Sequence, residues 1–391
     1  MITGRDVLYI ASIDWSFQWQ GPQELAVRLG AAGNRVVYVE NTGIRAPRLS
    51  EAGRVARRLD AWAGAWLRGG VRSVAPNVHL CSPLALPPFG PPWRRALNRQ
   101  LLAAELRLAL LPLDFRPSLI WTYLPTDTAA DLVQSFDGPG TAVVYYCVAD
   151  FRHYAPRADL LDASERAVAR RSDVVFVSMD SLAARFPGAN VHVFPFGVDL
   201  DTFQVEAPST ETASLPRPII GYVGALERAI DLELMIAMAR ARPTWSWVYI
   251  GTVKRDLGAL LELPNVKVLG PRPHPELPGH IRAFDVAIVP YAHNRFTETV
   301  VPTKINEYLA MGKAVVSSDL PSVRAFEERH HVLHAARPEP APFLAAIEAA
   351  LATAADPAAI RRRREVATEA DWSTRFAQMS ALVETALAKK A

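Results

Sequence analysis

Short apolar runs recur along this chain, and helical patterns separate them. VLYIASI (7–13), RVVYVE (35–40), SLIWTY (118–123), AVVYYCV (142–148) and DVVFVSM (173–179) are continuous rather than alternating. That is how strands buried on both faces read. Strands separated by helices such as GPQELAVRLGAAG, ended by Gly33, and ADLLDASERAVARRS predict a parallel sheet covered on both sides. The alternation stops at QVEAPSTETASLPRP, which is polar, aperiodic and rich in Pro, Ser and Thr, the signature of a linker. It then restarts, with IIGYVGAL, SWVYIG, VKVLG, VAIVPY and KAVVSS as strands and DLELMIAMARARP as an amphipathic helix. With 391 residues the chain is too long for one core. The expectation is two doubly wound α/β domains, 1–200 and 219–370, joined by a linker over 201–218. A final helix over 371–391 is expected to pack back on the first domain. Ligands belong at the carboxyl ends of such strands.

Composition narrows the function classes. Half the residues are hydrophobic and 21% are charged, a globular balance. Cys81 and Cys147 are far apart and lack metal-ligand spacing, which argues against a disulfide scaffold or zinc site and fits a reducing compartment. The apolar run at the N-terminus stops at Asp14, too short for a spanning helix and without a signal-peptide layout. The net charge of +3 gives no reason to expect nucleic acid as a partner. Its distribution is uneven, however. Ile44–Leu110 holds eleven arginines, no lysine and three acids, a net +8, together with Trp62, Trp66, Trp93 and the run WRRALNRQLLAAELRLALL. Such a stretch suits an anionic membrane surface, or else is an ordinary solvated helix face.

Three segments of the second half carry candidate chemistry. In VPTKINEYLAMGKAVVSSDLP (301–321), Pro302 suits a first helical turn and Gly312 a helix end. Thr303 and Lys304 then stand at the helix start, with Glu307 on the same face as Lys304. A diphosphate there would meet the ammonium and the backbone N–H groups, while Glu307 would accept hydrogen bonds from a ribose diol. The plain alternative is a surface ion pair. In GYVGALERAIDLEL, Gly221 and Gly224 follow a strand and either admit phosphate close to the backbone or form a tight turn, with Arg228 in reach of the same phosphates. The spacing is not that of a dinucleotide fingerprint. In GPRPHPELPGHIRAFDVAIVPY, the rigid loop at Gly270, Arg272 and Pro273 can face a nucleobase, and Asp285 is expected as a cap or turn. DLD (199–201) resembles a short metal motif but sits beside the linker and reads as a turn.

In the first half the candidates are loops after strands. Asp14, Trp15 and Ser16 follow the first strand, on the acceptor side of any cleft. Asp150 and His153 follow VVYYCV and are candidates to polarise an acceptor hydroxyl or to hold the transferred sugar, against the alternatives of a helix cap and a surface side chain. Trp15 and Trp19 suit either sugar stacking or packing.

These segments, in this order, resemble the GT-B glycosyltransferases, specifically those like glycosyltransferase family 4 in bacterial cell-surface polysaccharide synthesis. PTKINEYLAMGKAVV matches the family's P-x-K-x-x-E-Y-L-A-x-G-K-x-V-V pattern, and VFPFGVDLDTF matches its P-N-G-V-D-x-x-x-F segment with Phe196 in place of asparagine. The resemblance implies two Rossmann-like domains facing across a cleft. It also implies transfer of a hexosyl-type sugar, with retention and without metal or cofactor, from a nucleotide-sugar to a glycan, lipid-linked or small acceptor. Gly224, Arg228, Arg272, Pro273, Thr303, Lys304 and Glu307 would bind the donor. The family often places a second glutamate eight positions before Glu307, where this chain has Thr299; Glu298, one residue out of register, is the candidate for that role. A cytoplasmic enzyme, peripheral at the inner membrane face, is the expected setting. A non-catalytic sugar- or polymer-binding subunit and a sugar-nucleotide 2-epimerase of the same fold are the alternatives.

Overall fold

The computed structural model describes residues 1–43, 62, 64, 70–153, 157–204 and 209–390. Much of the arginine-rich stretch, including Arg57, Arg58 and Trp66, lies outside the described residues. The chain divides into two compact units, Met1–Pro195 with Phe376–Ala391, and Phe196–Arg375.

Unit 1 holds one eight-stranded sheet in the order β3-β4-β2-β1-β5-β6-β7-β8. The strands are β1 (Asp6–Ile10), β2 (Arg35–Val39), β3 (Arg72–Ala75), β4 (Val78–Cys81), β5 (Leu119–Thr122), β6 (Ala142–Cys147), β7 (Val174–Val177) and β8 (Val191–Val193). All neighbours are parallel except β3 and β4, an antiparallel pair turned at Pro76–Asn77, where Asn77 has φ of +59°. Alternate strand residues face opposite sides. Leu8, Ile10, Val37, Val39 and Ile120 pack under the helices Pro92–Leu110 and Asp127–Phe136. On the other face Tyr9, Tyr38 and Trp121 sit in register and stack, with centroids 5.5 and 6.2 Å from Tyr9. The Tyr9 hydroxyl is paired with Tyr123 at 2.7 Å and lies 2.8 Å from the Pro22 carbonyl. These buried phenols are thereby satisfied.

Unit 2 holds a six-stranded parallel sheet in the order β11-β10-β9-β12-β13-β14. Its strands are β9 (Ile219–Val223), β10 (Ser246–Ile250), β11 (Val266–Gly270), β12 (Val286–Val289), β13 (Ala314–Ser318) and β14 (His334–Ala336). Relative to the chain, this is the 3-2-1-4-5-6 order of a dinucleotide-type doubly wound sheet, whose direction of winding reverses between β9 and β12. Each face has its own core. Val223, Val248, Ile250, Val289 and Val315 pack with Ile305, Tyr308 and Val366. Tyr222, Trp247, Tyr249, Ile288 and Val316 pack with Met235, Met238, Phe343 and Ile347.

The polar stretch read as a linker belongs to unit 2. It carries the short helices Leu200–Gln204 and Thr210–Ala213, and Phe203 is buried in the core. The division instead falls at Pro195–Phe196. There the backbone of Val198 pairs with Asp371, accepting from Trp372 N at 3.0 Å and donating to Ala370 O at 2.9 Å. Gly197 has no alternative at this crossing, because a Cβ would lie 2.7 Å from Ala370 O and 2.8 Å from the Trp372 ring. Among the described residues no single helix is long and apolar enough to cross a membrane.

Candidate functional site

The switch point in unit 2 is built by three carboxyl-end loops bonded to one another. Val253 bridges Leu226, and Tyr291 bridges Ile230, so the loop after β9 is held by those after β10 and β12. Gly224 follows β9 and donates to Ile250 O at 2.8 Å; Gly251 donates to Gly270 O at 2.9 Å. A Cβ on Gly251 would lie 2.0 Å from Gly224 O, and one on Gly224 would lie 2.2 Å from the Tyr222 hydroxyl. These glycines let the strand ends approach more closely than side chains allow. Gly221 differs from the expectation. It lies inside β9, and a Cβ there would meet the Phe284 ring at 2.3 Å. Its missing side chain makes room for core packing, not for phosphate.

The helix Lys304–Ala310 lies in the crossover from β12 to β13. Pro302 precedes it, and Thr303 is the N-cap without a side-chain capping bond. Gly312, at φ of +71°, donates to Leu309 O at 2.8 Å, and Lys313 donates to Tyr308 O at 2.9 Å. This is the Schellman closure expected of a C′ glycine. Ile305 and Asn306 N–H already bond the Pro302 and Thr303 carbonyls. The helix start therefore offers an anion fewer backbone donors than the sequence suggests, and its cationic group is the Lys304 side chain. Lys304 Nζ lies 3.0 and 3.2 Å from the two Glu307 oxygens, with both side chains largely buried at 18% and 10% exposure. This is not the exposed pair of an ordinary surface helix.

Tyr308 ties the pair to the strand end. Its hydroxyl accepts from Val223 N–H at 2.8 Å, one residue before Gly224. Asn306 Nδ2 donates to Phe196 O at 3.3 Å, anchoring the same helix to the chain where it enters unit 2. Burial, with the charges of Glu227 and Glu307 adding to it, pushes the nearby Tyr291 phenol up to about 12. Tyr308 and Gly251 escaped the sequence reading, although Tyr308 stands inside the motif segment.

The remaining unit 2 candidates are spread more widely. Arg228 is exposed on the β9 loop, without an ion pair among the described residues. Arg272 and Pro273 follow β11, at the sheet edge, where Arg272 pairs with Glu211 at 2.9 Å. Pro273 precedes the single turn His274–Glu276. Glu298 is exposed in the turn Thr297–Thr299. Asp285 accepts from Ile219 N–H at 2.7 Å and pairs with Arg217, a structural tie at the amino end of the sheet.

In unit 1 the structure assigns Asp150 a different role from the one expected. Its buried carboxylate receives Arg152 Nε at 2.9 and 3.0 Å and lies 3.3 Å from Arg185 Nη1. Burial alone would raise this carboxyl, but the Arg152 hydrogen bonds and the Arg185 charge outweigh it and hold it below the usual range. A general base for a hydroxyl works best near neutral pKa, so Asp150 is better described as half of a structural ion pair. Arg185 also pairs with Glu165, which accepts from the Tyr145 hydroxyl at 2.7 Å. Burial raises Glu165 despite these partners. Glu165 stands four residues after Leu161 on the apolar face of the helix Ala158–Arg171, a placement that flags a buried charge. His153 closes the turn Phe151–His153.

At the end of β1, Trp15 N–H donates to Glu40 at 2.9 Å. Its ring meets Tyr38 edge-on at 5.1 Å and Trp19 at 5.9 Å. Trp19 Nε1 donates to Glu24 at 2.8 Å. Both tryptophans are thus held in place on one side while staying half-buried. Asp14 is half-buried and Ser16 exposed beside them.

Comparison with known proteins places these observations. Residues 217–353, spanning the glycine loops and the Lys304–Glu307 helix, match the family model "Glycosyl transferases group 1". Over 236 residues the chain is 26% identical to a Bacillus subtilis protein named as the teichuronic acid biosynthesis glycosyltransferase TuaH, a match spanning 57% of this chain and 59% of that relative. Sucrose-phosphate synthase from Thermosynechococcus elongatus superposes with a TM-score of 0.72 at 18% identity, covering 98% of this chain and 100% of that one. Anabaena HepE in complex with UDP superposes at 0.66 and 12% identity, covering 97% and 100%. The chain thus shares the GT-B fold of these structures, two α/β units built on largely parallel sheets, and its second unit carries a segment that matches the group 1 glycosyl transferases across the switch point.

Proposed function

We propose that the protein transfers a sugar from a nucleotide-sugar, bound at the carboxyl edge of the unit 2 sheet, to an acceptor hydroxyl in cell-surface polysaccharide synthesis. The observation that carries this reading is the buried Lys304–Glu307 pair, tied through Tyr308 to the backbone beside Gly224. Each ion holds the other until donor enters. Lys304 then turns to the diphosphate, joined by the exposed Arg228, and Glu307 accepts from the ribose diol. As the glycosidic bond breaks, charge grows on the leaving diphosphate, and these cations stabilise it. The neighbouring folds support the donor class, since HepE has been solved with UDP and with UDP-glucose. Thr303, Arg272 and Pro273 complete the donor-side proposal at its margin. Glu298 is proposed at the sugar end, and His153, Asp14, Trp15 and Ser16 on the acceptor side.

Retention of configuration and independence from metal are proposed from the family resemblance, with cationic side chains doing what a divalent ion would do. Turnover with UDP-, GDP-, dTDP- and ADP-sugars in excess EDTA is the test. The expected result is release of nucleoside diphosphate with formation of a glycoside of unchanged anomeric configuration. Turnover lost in EDTA and restored by magnesium or manganese contradicts the metal-free reaction, and an epimerised sugar nucleotide in place of a glycoside contradicts the transfer.

A lipid-linked acceptor at an anionic membrane surface is the proposed setting. It is supported by the helix Pro92–Leu110, which leaves Trp93, Leu97, Leu101 and Leu108 between 41% and 68% exposed, with Arg99 and Arg107 also exposed. Apolar side chains flanked by arginines favour the headgroup boundary. Wild-type protein should sediment with anionic vesicles at low salt, and the triple change Trp93→Ser, Leu97→Ser, Leu101→Ser should leave it in the supernatant. Wild-type protein that never sediments would point to a soluble acceptor.

A further inference from the structure

At the amino edge of the unit 2 sheet, opposite the strand ends that carry Gly224, lies a recess of about 300 Å³. Three of its charged residues sit where strands begin. Arg217 is two residues before β9, Asp285 immediately before β12 and Lys313 immediately before β13. Arg282, near the end of the helix Leu277–Ala283, and Arg364, on the helix Pro357–Thr368, complete the lining charges. Four cations therefore face one carboxylate. That carboxylate is already committed, to Arg217 and to Ile219 N–H.

Lys313 is the centre of this group. Its ammonium donates to Arg282 O at 2.6 Å and Phe284 O at 2.8 Å. An ammonium has three donors, so one remains beyond these two carbonyls. Burial first, then the charges of Arg282, Arg217 and Arg364, push its pKa down to about 8, against the opposing pull of Asp285. Cations crowded in a partly buried recess repel one another, and a bound anion relieves that repulsion. Arg364 is exposed and unpaired among the described residues. Its planar fork suits two oxygens of a phosphate.

We propose that this recess is a second anion site, separate from the donor site, and that it takes a phosphate- or diphosphate-bearing small molecule held by Lys313, Arg364, Arg217 and Arg282. The volume is at the lower end of small-ligand pockets, which fits inorganic pyrophosphate or a compact phosphorylated metabolite rather than a nucleotide. The site stands whether or not the donor reading holds, because no residue is shared between them. The recess is nonetheless connected to the donor helix through chain continuity, since Lys313 follows Lys304–Ala310 by only the closing turn.

The test is calorimetric titration of the full chain with inorganic pyrophosphate at low salt, in the wild type and in two variants. Arg364→Ser removes an exposed arm of the recess without touching the core, and Lys304→Met removes the largely buried cation of the donor site. The expected result is saturable binding that Arg364→Ser weakens about tenfold, the loss of one charge-assisted pair, and that persists in Lys304→Met. Lys313→Met should weaken it further, with folding checked by circular dichroism; Arg364→Ser alone decides if that variant does not fold. No binding by the wild type, or binding that Arg364→Ser leaves unchanged, overturns the proposal.

Discussion

Glu307→Ala is expected to weaken nucleoside diphosphate binding by about 1.5–3 kcal/mol, roughly ten- to a hundredfold, the contribution of a hydrogen bond to a charged acceptor. The side chain is 10% exposed and its present partner is Lys304. Removing it does two things. It deletes the proposed ribose acceptor, and it leaves a largely buried ammonium without its anion. The second effect lowers stability and must be separated from the first. Calorimetry on Glu307→Ala, Lys304→Met and the double variant does so. If both side chains touch donor, the single losses fall short of adding, as for residues in contact. If the pair is only structural, the double variant binds nucleotide as the wild type does, and the ribose role is lost.

Arg185→Met is expected to cost about 3–5 kcal/mol of unit 1 stability, because it strands buried carboxylates without their cation. Arg185 is 16% exposed and stands against Asp150 and Glu165, each 5% exposed, with Asp162 at 3.4 Å. Methionine fills much of the arginine volume, so lost charge rather than a cavity dominates. Denaturant unfolding followed by fluorescence reads the loss as a lower midpoint. The exposed pair Arg157–Asp159 is the control, and Asp159→Ala should leave the midpoint unchanged. An Arg185→Met protein with the wild-type midpoint would show that Arg152 alone satisfies the cluster.

The large periodic features were legible because burial on both faces leaves a continuous apolar run. Every strand named from such a run lies in one of the two sheets, as AVVYYC in β6 shows. The short strands at the sheet margins left no such mark. Arg72–Ala75 is partly exposed, and Val191–Val193 and His334–Ala336 are three residues each. The linker was misplaced for a related reason. Its composition is polar, yet Phe203 and Thr212 are buried and fold it into unit 2. At the site, Lys304 and Glu307 were found by spacing and by motif. What spacing cannot give is the environment of a charge. Asp150 stood at the right strand end for chemistry, but Arg152 and Arg185, two and thirty-five residues away, decide its ionisation. Gly221 and Gly224 look alike in the sequence, and only the Phe284 ring beneath Gly221 separates a packing glycine from a loop glycine.

The most direct measurement is the structure of the complex with whichever nucleoside diphosphate binds tightest. The account predicts the diphosphate beside Gly224, with Lys304 turned from Glu307 towards phosphate and the ribose hydroxyls on Glu307. A nucleotide bound elsewhere, with the Lys304–Glu307 pair still closed at 3.0 Å, would contradict it.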